Sequence, residues 1–396
     1  MLEQKRWRDL DPWLLLLPVG LSVFGVIVIR SATDIPGAGL APEVWAHAVA
    51  SAIGMALLLV VALIDYRWWR SFWWLGYLAA IALLVVVVVS GETRYGAQRW
   101  VSVAGIPFQP SEFVKLACII ALARVLADHR RDGRHLRGFA LSIILLLPLL
   151  LLIYQQPDLA TALVLVAIWL GMTYVAGVPL WILAASLFAP VVAWPLIWRF
   201  LKDYMRQRIM TFLAPDSDPL GAGYNMIQAR ISIGAGGWWG RGLGEGTQTQ
   251  LNFLRVRHTD FIFAVVGEEL GFLGSVGVLA AYAWLVLRCL AAIGSTHDVF
   301  GRLLATGVAT MILFEVFVNV GMNVGLVPVA GIPLPFLSYG RSALLANFLA
   351  LGLVQSVRLY GHSRRYDHPP AMQMPLAARL RRAAQPASRM TSAPPR

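Results

Sequence analysis

Charge is scarce in this chain. Of 396 residues only 14% are charged, 58% are hydrophobic, and the mean hydropathy is +0.67. Soluble domains run at about 45–50% apolar, so composition argues against a soluble globule and for a chain housed in lipid. Cysteine is nearly absent. Cys118 and Cys289 lie far apart, each inside an apolar run, and read as small buried hydrophobes, not a disulfide framework. The seven histidines form no pair at metal-ligand spacing. No Walker A loop or dinucleotide fingerprint is present, and "GAGG" and "GRGLGEG" lack the strand-to-helix setting that phosphate loops require. Acidic residues are few, 21 against 33 basic, for a formal net charge of +12. The arginines are spread over short loops and not gathered in one patch, which speaks against nucleic-acid binding.

Long apolar runs are what the chain has instead. A spanning helix needs about 20 mostly apolar residues. Ten candidates are read at 13–29, 44–64, 74–89, 111–127, 139–153, 159–175, 178–198, 270–290, 303–323 and 341–360. They are expected as helices, because a backbone in lipid must satisfy its own hydrogen bonds. The fold class is therefore an all-α polytopic membrane protein of about ten transmembrane helices. The first run is too long for a signal core of about 7–15 residues and precedes no clean cleavage site, so it reads as an uncleaved helix.

Basic residues set the expected orientation. With ten spans both termini share one side. That side collects Lys5, Arg6, Arg8, Arg67, Arg70, Arg130, Arg131, Arg134, Arg137, Arg288, Arg302 and Arg358, whereas the opposite short loops carry Arg30, Arg94 and Arg99. The termini are read as cytoplasmic. Residues 1–12 form the cytoplasmic N-terminus, 13–360 the membrane domain, and 361–396 a Pro-, Ala- and Arg-rich tail of disordered composition. A large extracytoplasmic loop, 199–260, separates helices 7 and 8. It is rich in arginine and glycine, and reads either as a solvated loop near headgroups or as a site for an anionic ligand.

Four stretches place polar groups where lipid is expected. "GIPFQPSEFVKLACIIALA" sets Glu112 and Lys115 at i and i+3 on one helical face. Each charge costs roughly 2.5–3.5 kcal/mol at mid-membrane, so the pair is either a structural ion pair or part of a polar cavity. "YQQPDLATAL" offers Asp158 as a helix cap. "NVGLVPVAGIPLPFLSYGRSALLAN" breaks an apolar run with Pro328, Pro333 and Pro335; such backbone is tolerated only under protein or water, so it should fold inward with Ser338 and Tyr339. "RHTDFIFAVVGEELG" puts Arg257, His258 and Asp260 where the loop becomes the eighth helix. A continuous helix from Phe261 to Leu290 would measure about 45 Å against a core of about 30 Å. That sets Asp260 at the outer headgroup level. Glu268 and Glu269 are read as structural.

Taken together and in order, "GAQRWVSVAGIPFQPSEFVKLA", "QQPDLATAL", "RQRIMTFLAPDSDPLGAGYNMIQARISIGAGGWWGRG", "GTQTQLNFLRVRHTDFIFAVVGEELG" and "NVGLVPVAGIPLPFLSYGRSAL" resemble the SEDS family of shape, elongation, division and sporulation proteins. "SDPLGAGY", "GTQTQLNFL" and "GIPLPFLSYG" lean to the elongation (RodA) branch over the division (FtsW) branch. The resemblance implies a peptidoglycan glycosyltransferase in the bacterial cytoplasmic membrane. It would polymerise lipid II, an undecaprenyl-pyrophosphate disaccharide-pentapeptide, into β-1,4 glycan, with a class B penicillin-binding protein as partner. It also implies that Asp260 is the catalytic carboxylate, with Glu112 and Lys115 in the cavity. The sequence departs from the family at Arg341, Ala160, Arg255 and Val256.

Such a transfer needs a base for the acceptor hydroxyl and positive charge for the departing pyrophosphate. Asp260 suits the first. Arg206, Arg208 and Arg257, or a divalent cation, suit the second, with Glu112, Lys115, His258 and Ser338 as further substrate contacts. Two rival functions share these features: a lipid II flippase, which needs polar groups along the whole path, and a scaffold, which needs no intramembrane charge. A bland role for Asp260, capping the eighth helix, is the alternative at the site itself.

Overall fold

The computed structural model describes residues 10–33, 39–94, 97–103, 105–131, 135–221 and 223–361. Of the expected N-terminal segment 1–12 only residues 10–12 fall inside this set, and of the 361–396 tail only Gly361; the rest of both lies outside the described residues. Lys5, Arg6, Arg8 and Arg134 lie outside it too.

Ten crossings are found where apolar runs were read. They are α1 (Trp13–Thr33), α2 (Pro42–Leu63), α3 (Trp73–Ser90), α4 (Pro110–Arg131), α5 (His135–Gln155), α6 (Leu159–Ala176), a broken α7, α8 (Ile262–Gly294), α9 (Val299–Val324) and α10 (Arg341–Gly361). Eight of these are long and apolar enough to span a membrane unaided. The α7 crossing is Leu180–Val192 plus Trp194–Phe200, bent by 60°. Pro195 at the start of the second piece lacks the N–H that would continue the ladder. The α4 helix has 22 residues, but its charges keep it from passing on hydropathy alone.

Both described chain ends lie at one end of the bundle. Asp11, buried just before α1, accepts from Arg288 of α8 (2.6 and 2.9 Å) and pairs with Arg358 of α10 (2.9 Å). Nearby, the buried Tyr66 hydroxyl meets Asp298 (3.2 Å), and Arg70 of the α2–α3 connection reaches Asp128 near the end of α4 (2.8 Å). The most extensive helix pair is α2 with α10, packed through glycine: Gly54 lies against Phe348, and Gly352 against Leu58 and Val61. Small residues let helix backbones approach where no water drives association.

The opposite end carries structure that the hydropathy reading did not foresee. Between α3 and α4, strands β1 (Glu92–Arg94), β2 (Ala97–Val103) and β3 (Ile106–Phe108) form a small antiparallel sheet, with Val101 facing Phe108 in register. The 199–260 loop is largely helical, with helices at Asp203–Leu213 and Tyr224–Gly236 and one turn at Thr247–Gln250. The proline-broken stretch before α10 does turn inward: Ile332, Leu334, Phe336 and Leu337 are buried, and Asn319 donates to the Ile332 carbonyl (2.7 Å).

The eighth helix corrects one expectation. It is not continuous, because Gly271 interrupts it at φ +67°, ψ −160°. Residues 272–294 alone measure about 34 Å at 1.5 Å per residue, enough to span the core. Ile262–Glu269 is a separate, fully buried piece turned into the bundle. The break exists because the tail of the Tyr224–Gly236 helix runs against it: Gly242 and Phe272 donate to the carbonyls of Glu269 and Gly237 (2.9 and 2.8 Å).

A Cβ on Gly271 would lie 2.3 Å from the Gly240 nitrogen, in a backbone region that only glycine occupies without strain. Gly271→Ala is therefore expected to cost at least about 1–3 kcal/mol and lower the unfolding temperature in detergent by several degrees. Gly277→Ala, with open space around its Cβ, should not. Equal melting of wild type and Gly271→Ala would show the break to be incidental.

Candidate active site

The site is built around a turn whose backbone is held from three directions. The Asp260 carbonyl accepts from Nδ2 of Asn319 and of Asn323, both at 3.1 Å, from successive turns of α9. The Asn323 Oδ1 accepts from the Ala264 N–H (3.1 Å), fixing the start of α8. From the inward-folded stretch, Ser338 donates to the Thr259 carbonyl (2.6 Å) and accepts from the Leu334 N–H (2.9 Å), while the Tyr339 N–H meets the His258 carbonyl (2.9 Å). Asp260 does not cap α8: the cap position is Phe261, and it has no side-chain cap. Because Asn319 lies five residues before the end of α9, Asp260 sits within two turns of the loop-side end of the bundle.

Two arginines face this carboxylate. Arg208, on the Asp203–Leu213 helix, donates from Nη1 to the carbonyls of Val329 (3.2 Å) and Ala330 (3.1 Å) and lies over the Tyr204 ring. Arg99, on β2, pairs with Asp158 (3.5 Å) and donates to the carbonyls of Gln156 and Pro157. Asp158 is itself the N-cap of α6, accepting from the Thr161 N–H (3.2 Å) and hydroxyl (2.9 Å), as the sequence suggested. The Tyr204 hydroxyl completes the link at the Pro157 carbonyl (2.7 Å). Gly331 (φ +74°) leaves room beside the acid; a Cβ there would stand 3.6 Å from the Asp260 Oδ2.

Electrostatics separate this acid from an ordinary one. Asp260 keeps some exposure as a residue, but dense protein around its carboxyl disfavours the charged form. Burial pushes its pKa up to about 6, against the opposing pull of Arg208 and Arg99. Burial, reinforced by Arg99, lowers the pKa of Arg208. His258 is lowered by burial, with Glu43 opposing and Arg257 adding to the effect.

The other residues singled out from the sequence are distributed. Arg206, two positions from Arg208, points the opposite way. It donates to the carbonyls of Trp198 and Arg199 (3.1 Å each) and meets Asp203, so it closes the end of α7 and does not join the cluster. Arg257 donates to the Ala32 carbonyl and, with His258, lines a separate pocket beside the start of α2. The Ser338 hydroxyl is spent on backbone groups, so it positions the Asp260 turn. Glu112 and Lys115 do pair (2.7 Å), but within a triad completed by Glu315 of α9, 2.5 Å from the ammonium. All three side chains are nearly inaccessible. Glu268 accepts from the Gln248 and Thr249 N–H groups (2.7 and 3.1 Å), and Glu269 from Ser31 (2.5 Å): both hold loops, and neither pairs with an arginine. Arg255 stacks over Tyr224. Sequence reasoning missed Glu315, Asn319 and Asn323. The signal was there, three polar residues four apart in an apolar run, which is one stripe of a helix. Arg99 was noted only as loop charge.

Comparison with known proteins shows the family. Residues 12–363 match the family model FTSW_RODA_SPOVE, described as cell cycle protein. The chain is 38% identical over 354 residues to the peptidoglycan glycosyltransferase MrdB of Escherichia coli K12, covering 89% of this chain and 94% of that protein. It is 36% identical over 365 residues to a probable peptidoglycan glycosyltransferase FtsW of Trichlorobacter lovleyi, covering 89% and 94%. Among solved structures it resembles a chain of a peptidoglycan synthase complex that coordinates polymerization and crosslinking (TM-score 0.76, 33% identity, 90% of this chain and 99% of that one). It also resembles the rod shape determining protein RodA of Thermus thermophilus (TM-score 0.67, 29% identity, 89% and 98%).

The buried triad yields a test. Lys115→Met leaves two carboxylates without a cation in a dry site, a loss of about 3–5 kcal/mol. The triple variant Glu112→Gln/Lys115→Met/Glu315→Gln removes the charges together and should recover at least about 1 kcal/mol of that. Unfolding temperature and yield of monodisperse protein read the difference. A single variant as stable as the triple would show that the ammonium compensates nothing.

Proposed function

Since the chain belongs to the FtsW/RodA/SpoVE family of cell cycle proteins, we propose that it is a membrane-embedded peptidoglycan glycosyltransferase that polymerises lipid II during cell-wall elongation. The observation that carries the mechanism is one buried carboxylate of raised pKa within the electrostatic reach of two arginines at the loop-side end of the bundle. Asp260 takes the proton from the acceptor sugar hydroxyl as that oxygen attacks the donor's anomeric carbon. The new C–O bond forms as the bond from that carbon to the pyrophosphate oxygen breaks. Arg208 and Arg99 face the negative charge that leaves. A base with a pKa of about 6 is mostly unprotonated at neutral pH yet basic enough to accept a proton.

Glycoside hydrolysis usually needs two carboxylates flanking the bond. Here the second nearby acid, Asp158, is held by Arg99 and by its cap, which favours transfer. The divalent cation considered from the sequence has no matching donor set: among the described residues no three His, Cys, Asp or Glu groups converge. No step is routed through one. A flippase would need a polar path through the bundle; the charges at mid-bundle close on each other in the Glu112–Lys115–Glu315 triad, which favours the enzyme. A class B penicillin-binding protein is the proposed partner, in keeping with the similarity to the synthase-complex chain. Both termini are placed on the cytoplasmic side, where the basic residues of the terminal end collect, and the Asp260 end faces outward.

Purified protein given lipid II should make glycan polymer visible on a gel, and Asp260→Asn should make none while remaining folded. Because burial disfavours the charged acid, its stabilising contribution is complete below about pH 4 and lost as pH rises through about 6. Asp260→Asn should therefore be at least as stable as wild type at pH 8. The wild-type rate should fall about tenfold per pH unit below pH 6, and Arg208→Gln, removing a charge that favours the ionised acid, should move that midpoint to higher pH. A near wild-type rate from Asp260→Asn would remove Asp260 as the base.

Orientation has its own measurement. Both native thiols are buried, so engineered cysteines report without background. Ser217→Cys should react with an impermeant reagent from outside intact cells. His297→Cys, exposed between α8 and α9, should react only after permeabilisation. The reverse pattern would invert the topology.

A further inference from the structure

A second pocket adjoins the Asp260 turn, and the mechanism above does not use it. It has a volume of about 400 Å³ and lies between the start of α2 and the residues just before Asp260. That size is in the range of sites for small ligands. Its chemistry differs from that of the arginine side. Glu43, in the first turn of α2, is half-buried and has no hydrogen bond or ion pair among the described residues. Arg257 and His258 line the same pocket, and the Glu43 charge acts on His258. Arg257 uses Nε on the Ala32 carbonyl, and its terminal nitrogens have no hydrogen-bond partner among the described residues. The wall also includes Gly39, Leu40 and Ala41, which belong to no helix or strand. No backbone bond among the described residues uses their N–H groups.

These features select a ligand class. A pyrophosphate would be repelled by Glu43, and it has its own arginines on the other side of the turn. A sugar ring would find no Trp, Tyr or Phe in the lining to stack on. A carboxylate and a guanidinium fork in one lining, neither in an ion pair among the described residues, match a group bearing both an ammonium and a carboxylate. The N–H groups of Gly39, Leu40 and Ala41, left without a backbone acceptor among the described residues, are free to bond peptide carbonyls. We propose that this pocket is a subsite for the stem peptide of the substrate, in which Glu43 receives a side-chain ammonium and Arg257 an adjacent carboxylate. The inference rests on the glycosyltransferase reading for its substrate and names the part of it that the pocket recognises. It assigns Arg257 to the peptide and leaves the pyrophosphate to Arg208 and Arg99. A stem with a blocked amine loses its contact with Glu43.

The test is binding, measured apart from catalysis. Full-length protein in detergent is titrated with a soluble disaccharide-pentapeptide carrying a fluorophore on the sugar, in one form with the side-chain amine free and in another with it acetylated. Wild type should bind the free-amine probe about tenfold more tightly. In Glu43→Gln the two probes should differ by less than twofold. Equal affinity of wild type for both probes, no binding of either, or an acetylation penalty that persists in Glu43→Gln overturns the proposal. The wild-type comparison decides alone should the variant fail to fold. Polymerisation by the same preparation is scored separately. Acetylation-sensitive binding without polymer would sink the glycosyltransferase reading and keep the peptide subsite.

Discussion

Two asparagine side chains on one helix hold the backbone carbonyl on which the site depends. Asn319 and Asn323 both donate to the Asp260 carbonyl, and neither touches a group that could react. In a lipid-enclosed bundle an unpaired carbonyl costs several kcal/mol, so irregular backbone survives only where side chains pair it. The inward-folded stretch before α10 adds the Ser338 and Tyr339 contacts to the same turn. A carboxylate carried on a loop thus acquires the rigidity of three helices. That rigidity also creates its raised pKa, because the packing that pins the backbone surrounds the side chain.

Charge inside this protein is grouped by job. The Asp11 cluster ties helix ends together, and the Glu112–Lys115–Glu315 triad joins α4 to α9. In both, every charged group has a partner of opposite sign: Asp11 meets two arginines, and Lys115 meets two carboxylates. At the Asp260 end positive charge is less fully matched: Arg208 rests on carbonyl groups and has no salt bridge among the described residues. A guanidinium satisfied by neutral acceptors keeps its charge available to an anion. The difference between structural and working charge is therefore the identity of the partner, carboxylate or carbonyl.

Most of the helical architecture was legible because lipid imposes a simple code, in which apolar length gives helices. The ten crossings follow from that code, α4 among them, read as the run 111–127 despite its charges. The code is silent where the chain leaves lipid. The β1–β3 sheet and the helices of the 199–260 loop form outside the apolar runs. Gly271 was invisible as a break because glycine is common in membrane helices, and only the close approach of Gly240 gives it its conformation. At the site, Asp260 and Arg208 were legible. Arg206 and Arg208, two residues apart on a helix, necessarily face different ways, and the pattern alone did not say which one faced the acid. Glu315 was hidden in a run read only for its hydropathy.

The Asp11 cluster also bears on how the chain is made. Its partners, Arg288 and Arg358, are synthesised long after it, and α10, the main packing neighbour of α2, emerges after the other nine described crossings. Until α10 is inserted, α1 and α2 stand in the bilayer with glycine-lined faces open and an acid lacking its cations. The α1–α2 pair is thus completed by a helix made much later, so its packing ends in a late docking step. Nascent chains lacking that segment keep those faces uncovered, a feature by which membrane quality control can tell unfinished molecules from finished ones.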